Sequence, residues 1–268
     1  MINHSNMMIN PLNLNHLQKL KDTKQMITLN LEDGISKDRK GEALENISNF
    51  LRDRSDDNYI VIRTNPLSLG GLEEIKFLNN FDFDAIRVAK IKTQKDIDII
   101  STLTDKSIHI SVETKEAFSN LSSFRGVEVA YLGILDLISD LNLTQSILRL
   151  DNPTIDYILS KFLIDSHLAS IVPFSFMYQD YNNVDEFEKW CKREKAMGFR
   201  YKATLGPKQV EIVDRVFGVS SQMIERARYI KEEFERNSKD GINGFMSIYG
   251  FIDEPIYRDS LIVLESIK

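Results

Sequence analysis

The chain has 268 residues, 42% of them hydrophobic, enough for one large domain with a sizeable core. Its 34 Lys and Arg against 40 Asp and Glu give a net charge of −6, which leaves no basic footprint for nucleic acid. No apolar run reaches the roughly 18 residues of a membrane span, and no basic-then-apolar leader opens the chain, so a cytoplasmic protein without membrane partners is expected.

Short β-rich runs alternate with helical patterns from the start. The expected strands are Met7–Ile9, Met26–Leu31, Tyr59–Arg63, Ala85–Ala89, Ile108–Val112, Val127–Leu132, Ala169–Pro173 and Arg200–Leu205. Helical periodicity is read at Leu14–Leu20, Lys37–Arg54, Leu72–Leu78, Thr93–Leu103, Lys115–Leu121, Ile155–His167, Val184–Met197, Gln209–Val216 and Met223–Phe234. Strict alternation implies a parallel sheet covered by helices, and eight repeats predict an α/β protein closed as a (β/α)8 TIM barrel. After Asn237 the turn-rich run Ser238 to Gly244 breaks the pattern. An extended stretch (Phe245–Tyr249) and a final helix opening on Glu254-Pro255 follow. The expected division is therefore a catalytic barrel over 1–237 and a short helical extension over 238–268, packing on the barrel mouth or a neighbouring subunit.

Two apolar runs end in carboxylates: Ile108 to Glu113 and Val129 to Asp136. Such acids belong at the C-terminal rim of a barrel, where two from successive strands can hold one hard divalent cation. Glu113 and Asp136 are thus the candidate metal ligands. A third strand ends in Arg63, which needs an anion: either a structural partner such as Glu32 or a substrate carboxylate. Glu32 and Asp33, after the second strand, read as helix-start acids or as acceptors for metal-bound water. Lys90 ends the fourth strand, where it forms a salt bridge or acts electrostatically near the pocket. Gly70-Gly71 reads as a plain turn. The single cysteine, Cys191, lies in a helical pattern without a nearby His and reads as an ordinary helix residue. The four His residues are scattered and show no zinc spacing, so oxygen ligands and hence Mg2+ or Mn2+ are the expected metal chemistry.

At these residues the chain resembles the citrate lyase beta-subunit-like branch of the HpcH/HpaI aldolase superfamily. The resemblance is carried by Leu31-Glu32-Asp33-Gly34-Ile35 with Lys37 downstream, Ile62-Arg63-Thr64-Asn65, Asp84 to Lys90, Val112-Glu113-Thr114, Leu132 to Leu137, and Gly198 to Lys202 followed by Pro207-Lys208-Gln209. It implies Mg2+ on Glu113 and Asp136 and Arg63 on the substrate. It also implies carbon–carbon bond cleavage or formation through a metal-stabilised enolate, with a coenzyme A thioester as candidate substrate, and a homotrimer or homohexamer. The general base would come from Glu32, Asp33, a water or a neighbouring tail.

The departures from the family pattern are Asn30 for an Asp, Ala89 for the Pro before Lys90, Tyr201 for a Gly and Gly206 for a His. The first strand (Ser5 to Pro11) also lacks the Arg-Ser lead. Two other readings follow: a pyruvate-type aldolase acting on small hydroxy-oxo acids without coenzyme A, and a barrel that binds a ligand without turnover. For the aldolase, His109 gives little support, because it lies four residues before Glu113 and is expected to point into the core.

Overall fold

The computed structural model describes residues 4–13, 24–52, 54 and 57–266. The expected helix Leu14–Leu20 lies outside the described residues. Contacts divide the chain into two compact units, one running up to Phe217 and the other starting at Gly218. The composition break near Asn237 falls inside the second unit.

The first unit is a closed barrel of eight parallel strands in sequence order. They are β1 Ser5–Ile9, β2 Met26–Asn30, β3 Tyr59–Thr64, β4 Ala85–Val88, β5 Ser107–Val112, β6 Val129–Leu132, β7 Val172–Ser175 and β8 Tyr201–Thr204. Closure is made by β8 pairing with β1, with Ser5 opposite Lys202 and Met7 opposite Thr204. All eight expected strands are present. The seventh starts three residues later than expected, because Ala169 caps the preceding helix and Ser170 takes a positive φ of 59°.

Outside the barrel lie α1 Lys40–Arg52, α2 Gly71–Leu78, α3 Gln94–Leu103, α4 Lys115–Asn120, α5 Ile134–Asp140, α6 Pro153–Leu168, α7 Val184–Met197 and α8 Pro207–Phe217. Local chemistry starts and stops them. Thr93 and Asp96 form a capping box on α3, Asn152 caps α6 with Pro153 in its first turn, and Gly198 ends α7 at φ 107°. The sixth strand is expected over Val127–Leu132, with Asp136 as the strand-end carboxylate of the longer apolar run, but the two do not share an element. The strand stops at Leu132, and Gly133 turns the chain into a helix whose first turn carries Asp136. Continuous apolarity concealed the switch, since a buried strand and a buried helix read alike over a few residues.

Strand alternation sends side chains to two cores. Ile27, Leu29, Ile60, Ile62, Ile86 and Val88 face the helices. Met26, Val61, Ala85, Val129, Tyr131, Phe174 and Ala203 fill the barrel interior. Tyr201 belongs to this interior and stacks on Phe174 at 5.1 Å. It opens β8, at the end of the barrel opposite the strand C-termini.

The second unit contains α9 Ser221–Lys239, the antiparallel hairpin β9 Gly244–Ser247 and β10 Gly250–Asp253, and α10 Glu254–Glu265. Its core is Ile230, Phe234 and Ile252, with Phe234 stacked on Tyr257 at 4.5 Å. Among the described residues no helix is long and apolar enough to cross a membrane.

Candidate active site

A cavity of about 360 Å3 opens at the C-terminal ends of the strands. Asp33, Arg63, Arg87, Glu113 and Asp136 line it on the polar side. Met8, Leu132, Met177, Ala203 and Leu205 are among its apolar walls.

Glu113 follows β5 directly and is almost wholly buried. Thr114 holds the chain on its far side, capping α4 through Ala117 N–H (3.1 Å) and donating to the Ile91 carbonyl (2.9 Å). Glu113 Oε1 accepts the backbone N–H of Lys90 at 2.8 Å. That donor is aimed by an unusual backbone, because Lys90 has a φ of 56°. The left-handed region costs a residue other than glycine about 1 kcal/mol or more, a strain that collects at functional sites. The same turn brings Lys90 Nζ to Asp136 Oδ1 at 2.5 Å. Lys90 therefore joins the two carboxylates that were read as metal ligands. Burial opposes its charge, but the hydrogen bond to Asp136 and the Glu113 and Asp136 charges outweigh burial and hold it above its usual value.

Arg63, next to last in β3, lies between two acids. Its Nη2 lies 2.7 Å from Glu32 Oε2 and 3.3 Å from Glu113 Oε2. Two carboxylates share one guanidinium in a buried setting. Burial, opposed by Arg63 and reinforced by the Glu113 charge, pushes Glu32 up to about 7. Asp33 is exposed at the rim, and its N–H donates to Glu32 Oε2 at 2.8 Å.

The loop carrying Glu32 and Asp33 is built by residues that sequence reading passed over or misjudged. Asn30, taken as a departure, donates through Nδ2 to the Asp33 carbonyl (2.5 Å) and accepts Glu32 N–H through Oδ1 (3.2 Å). A carboxylate could not supply the first of these bonds. Lys40, rather than the exposed Lys37, reaches back to the carbonyls of Leu31 (2.5 Å) and Glu32 (2.7 Å) and to Asn65 Oδ1 (2.7 Å). Asn65 N–H in turn donates to Glu74 at 2.8 Å. Gly70-Gly71 opens α2 as a turn, and a Cβ on Gly71 would stand 2.2 Å from the Asn65 carbonyl.

Arg87 on β4 was also missed. The signal was the one that drew attention to Arg63, a cation set in a Val/Ile strand. Gly133, inside the Leu132 to Leu137 motif, carries no side-chain chemistry of its own. It lies directly against Glu113.

Several other groups are accounted for without chemistry. His109 is fully buried inside the barrel, stacked on Tyr59 at 6.2 Å, and burial lowers its affinity for a proton. Cys191 is buried, and burial pushes its thiol up to about 12, so it is no nucleophile. Lys202 and Glu194 form a wholly buried pair at 2.8 Å beneath Phe176. Gly206 packs against Tyr181, whose ring a Cβ would meet at 2.9 Å.

Among the described residues no cluster of three or more His, Cys, Asp or Glu could encage a metal. Glu113 and Asp136 offer oxygen donors alone, beside the cavity, with the Lys90 backbone N–H on the first and its ammonium on the second. This donor set suits Mg2+, which commonly takes one or two carboxylates and leaves its other positions to water and substrate.

Known proteins share this architecture. The chain is 25% identical to the citrate lyase subunit beta of Haemophilus influenzae over 226 residues, covering 78% of this chain and 76% of that one. It is 24% identical over 237 residues to a (3S)-malyl-CoA thioesterase of Cereibacter sphaeroides, covering 86% and 82%. The fold superposes on a citrate lyase from Burkholderia xenovorans with a TM-score of 0.83 at 16% identity, covering 99% and 91%. A Mycobacterium tuberculosis CitE protein solved with magnesium, acetoacetate and coenzyme A gives a TM-score of 0.79 at 16% identity, covering 99% and 98%. The family model for HpcH/HpaI aldolase/citrate lyase matches residues 22–207, well over half of the chain, and the protein belongs to that family.

Proposed function

We propose that this protein is a Mg2+-dependent carbon–carbon lyase of citrate lyase beta-subunit type, cleaving or forming a hydroxy acid. The observation that carries this reading is the Lys90 bridge, which ties Glu113 and Asp136 together at one rim of the barrel beside Arg63. Glu113 and Asp136 would hold the ion. When bound, it would supply a Lewis acid for the negative charge that develops on the acid's oxygen. The relatives solved with magnesium and oxaloacetate, or with magnesium and pyruvate, support this choice of ion and of small acid.

The chain's own residues have separable tasks. Arg63, buried between Glu32 and Glu113, offsets the charge of the two carboxylates that it joins and orients the acid's anionic end. Lys90, whose ammonium holds Asp136 at 2.5 Å, would supply a positive charge at the reacting end of the substrate. Glu32, held near neutrality, and Asp33 at the rim are the candidates to accept or return a proton. Leu132, Met177, Ala203 and Leu205 exclude water from the deeper cavity. In this reading the substrate is a coenzyme A thioester, supported by the (3S)-malyl-CoA thioesterase relative and the CitE structure with coenzyme A. A homotrimer or homohexamer goes with the same reading.

A second reading, an aldolase of small hydroxy-oxo acids without coenzyme A, is favoured by β1. That strand brings Met8 to the cavity, while Ser5 and Asn6 are buried and bonded to Asp214 (3.2 Å) and Thr28 (2.7 Å).

Thermal unfolding with Mg2+ plus pyruvate, oxaloacetate or glyoxylate, with and without acetyl-CoA, separates these readings. Ligands that bind the folded state raise its midpoint. Proton exchange at the acid's α-carbon, followed by NMR, reports the chemistry. Mg2+-dependent exchange that needs acetyl-CoA supports the first reading, and exchange without it the second. No exchange and no turnover across the panel overturns both and leaves a binding barrel.

A further inference from the structure

Arg87 is a charge in the barrel interior with no anion of its own. It sits on β4 in register with Arg63 on β3 and His109 on β5. The side chain is 4% exposed. Its Nε donates to Ser111 Oγ at 2.9 Å, and the guanidinium lies 4.0 Å over the Tyr131 ring. Nη1 is buried without a hydrogen-bond partner among the described residues. The acids nearest in the site are committed elsewhere, since Glu32 and Glu113 both pair with Arg63. Burial, then the neighbouring Arg63 charge, weaken the hold of Arg87 on its proton, so the charged form is kept at a cost.

Barrel interiors are normally filled by branched apolar side chains, and a buried cation without a counter-ion destabilises the fold. A methionine would occupy similar space without that cost. Arg87 nevertheless lines the floor of the same cavity as Arg63, Glu113 and Asp136. A guanidinium on the wall of a cavity, with a buried nitrogen left unpaired, matches the planar geometry of an oxyanion.

We propose that Arg87 is the specificity-determining residue for a second oxyanion on the substrate, so that the site takes compact acids carrying two anionic groups in preference to those with one. One group is held at the rim by Arg63 and the ion, and the other meets Arg87 on the floor. This rests on the lyase reading for the placement of the first group. The second group is a carboxylate or a phosphonate-like oxyanion, and the chemistry at Arg87 is the same for both.

The test is calorimetric binding in the presence of Mg2+, comparing lactate with malate and pyruvate with phosphonopyruvate. In the parent protein the two-acid member of each pair should bind about ten-fold tighter or more, as a charge-assisted contact implies. Preference for malate alone identifies a carboxylate pocket, and preference for phosphonopyruvate alone a phosphoryl one. Arg87→Met should erase the preference while leaving lactate and Mg2+ affinity and the thermal midpoint at or above parent values. Arg87→Lys, which keeps the charge but not the fork, should retain part of it. Equal binding within the pairs, an Arg87→Met protein that keeps the preference, no measurable binding of either two-acid ligand, or failure of both variants to fold overturns the proposal. The two readings fail separately. If Glu113→Gln leaves Mg2+ binding intact while the preference still follows Arg87, the lyase reading falls and Arg87 stands. Mg2+-dependent exchange without any preference gives the reverse.

Discussion

A Cβ placed on Gly133 would stand 2.6 Å from the Cβ of Glu113 and 2.7 Å from its Oε2. The backbone that starts α5 therefore runs hard against the acid that ends β5, and Gly133 N–H donates to the Val112 carbonyl at 3.0 Å. No side chain fits there unless Glu113 moves. Gly133→Ala should leave the barrel folded, with a loss of about 1–3 kcal/mol typical of overpacking. Mg2+-induced thermal stabilisation should fall at least as far as in Glu113→Gln. An alanine variant with parent Mg2+ response would show that Glu113 is not a ligand.

Glu32 gives stability a defined pH dependence. Its pKa is raised from the usual carboxylate value to about 7, so between roughly pH 4.5 and 7 the folded state holds a proton that the unfolded chain has released. Stability from this group is complete below that window and is lost as pH rises through about 7. The groups facing it are Arg63, Asp33 and Glu113. Glu32→Gln should flatten that fall in urea titrations at pH 5, 6, 7 and 8, and should narrow the stability gap between pH 5 and pH 8. An unchanged slope means that Glu32 is ionised throughout.

The Lys202–Glu194 pair is structural and distant in role from the cavity. Both side chains are wholly buried, and Lys202 also donates to the Phe176 carbonyl at 2.8 Å. Removing one partner leaves a buried charge, which costs about 3–5 kcal/mol. Lys202→Met should therefore be strongly destabilising. Lys202→Met combined with Glu194→Leu should recover most of that loss in chemical denaturation. Additive losses in the double variant would contradict a buried charge pair.

Lys40 holds the loop that presents Glu32. Its ammonium collects two carbonyls and the Asn65 side chain. Lys40→Met should cost about 1–3 kcal/mol, the range for hydrogen bonds to a charged group. It should also raise hydrogen exchange at Glu32 and Asp33 more than at β5. Unchanged exchange in the loop would assign its order to Asn30 alone.

Much of the architecture was readable from residue order. Short β-rich apolar runs alternating with amphipathic stretches are a local property, and every barrel strand could be located from them. Glu113 could be read at a strand end because β5 is apolar up to that residue. Asp136 could be named from the apolar run that it closes, but it is expected at a strand end and lies in a helix. Nothing in Val129 to Leu137 marks the point at which a buried strand becomes a buried helix.

By itself the sequence determined the α/β alternation, the eightfold repeat, the family, and which acids and which strand-end cation are brought to one rim. Only the tertiary structure decided who bonds whom: that Arg63 is shared by two acids, that Lys90 joins Glu113 to Asp136, that Lys40 rather than Lys37 reaches the loop, and that Arg87 faces the cavity without an anion. The reason is physical. Strand and helix formation follows from hydrophobic period over a few neighbouring residues, whereas ion pairing depends on barrel closure, which brings side chains from β2, β3, β4 and β5 within bonding distance across gaps of tens of residues.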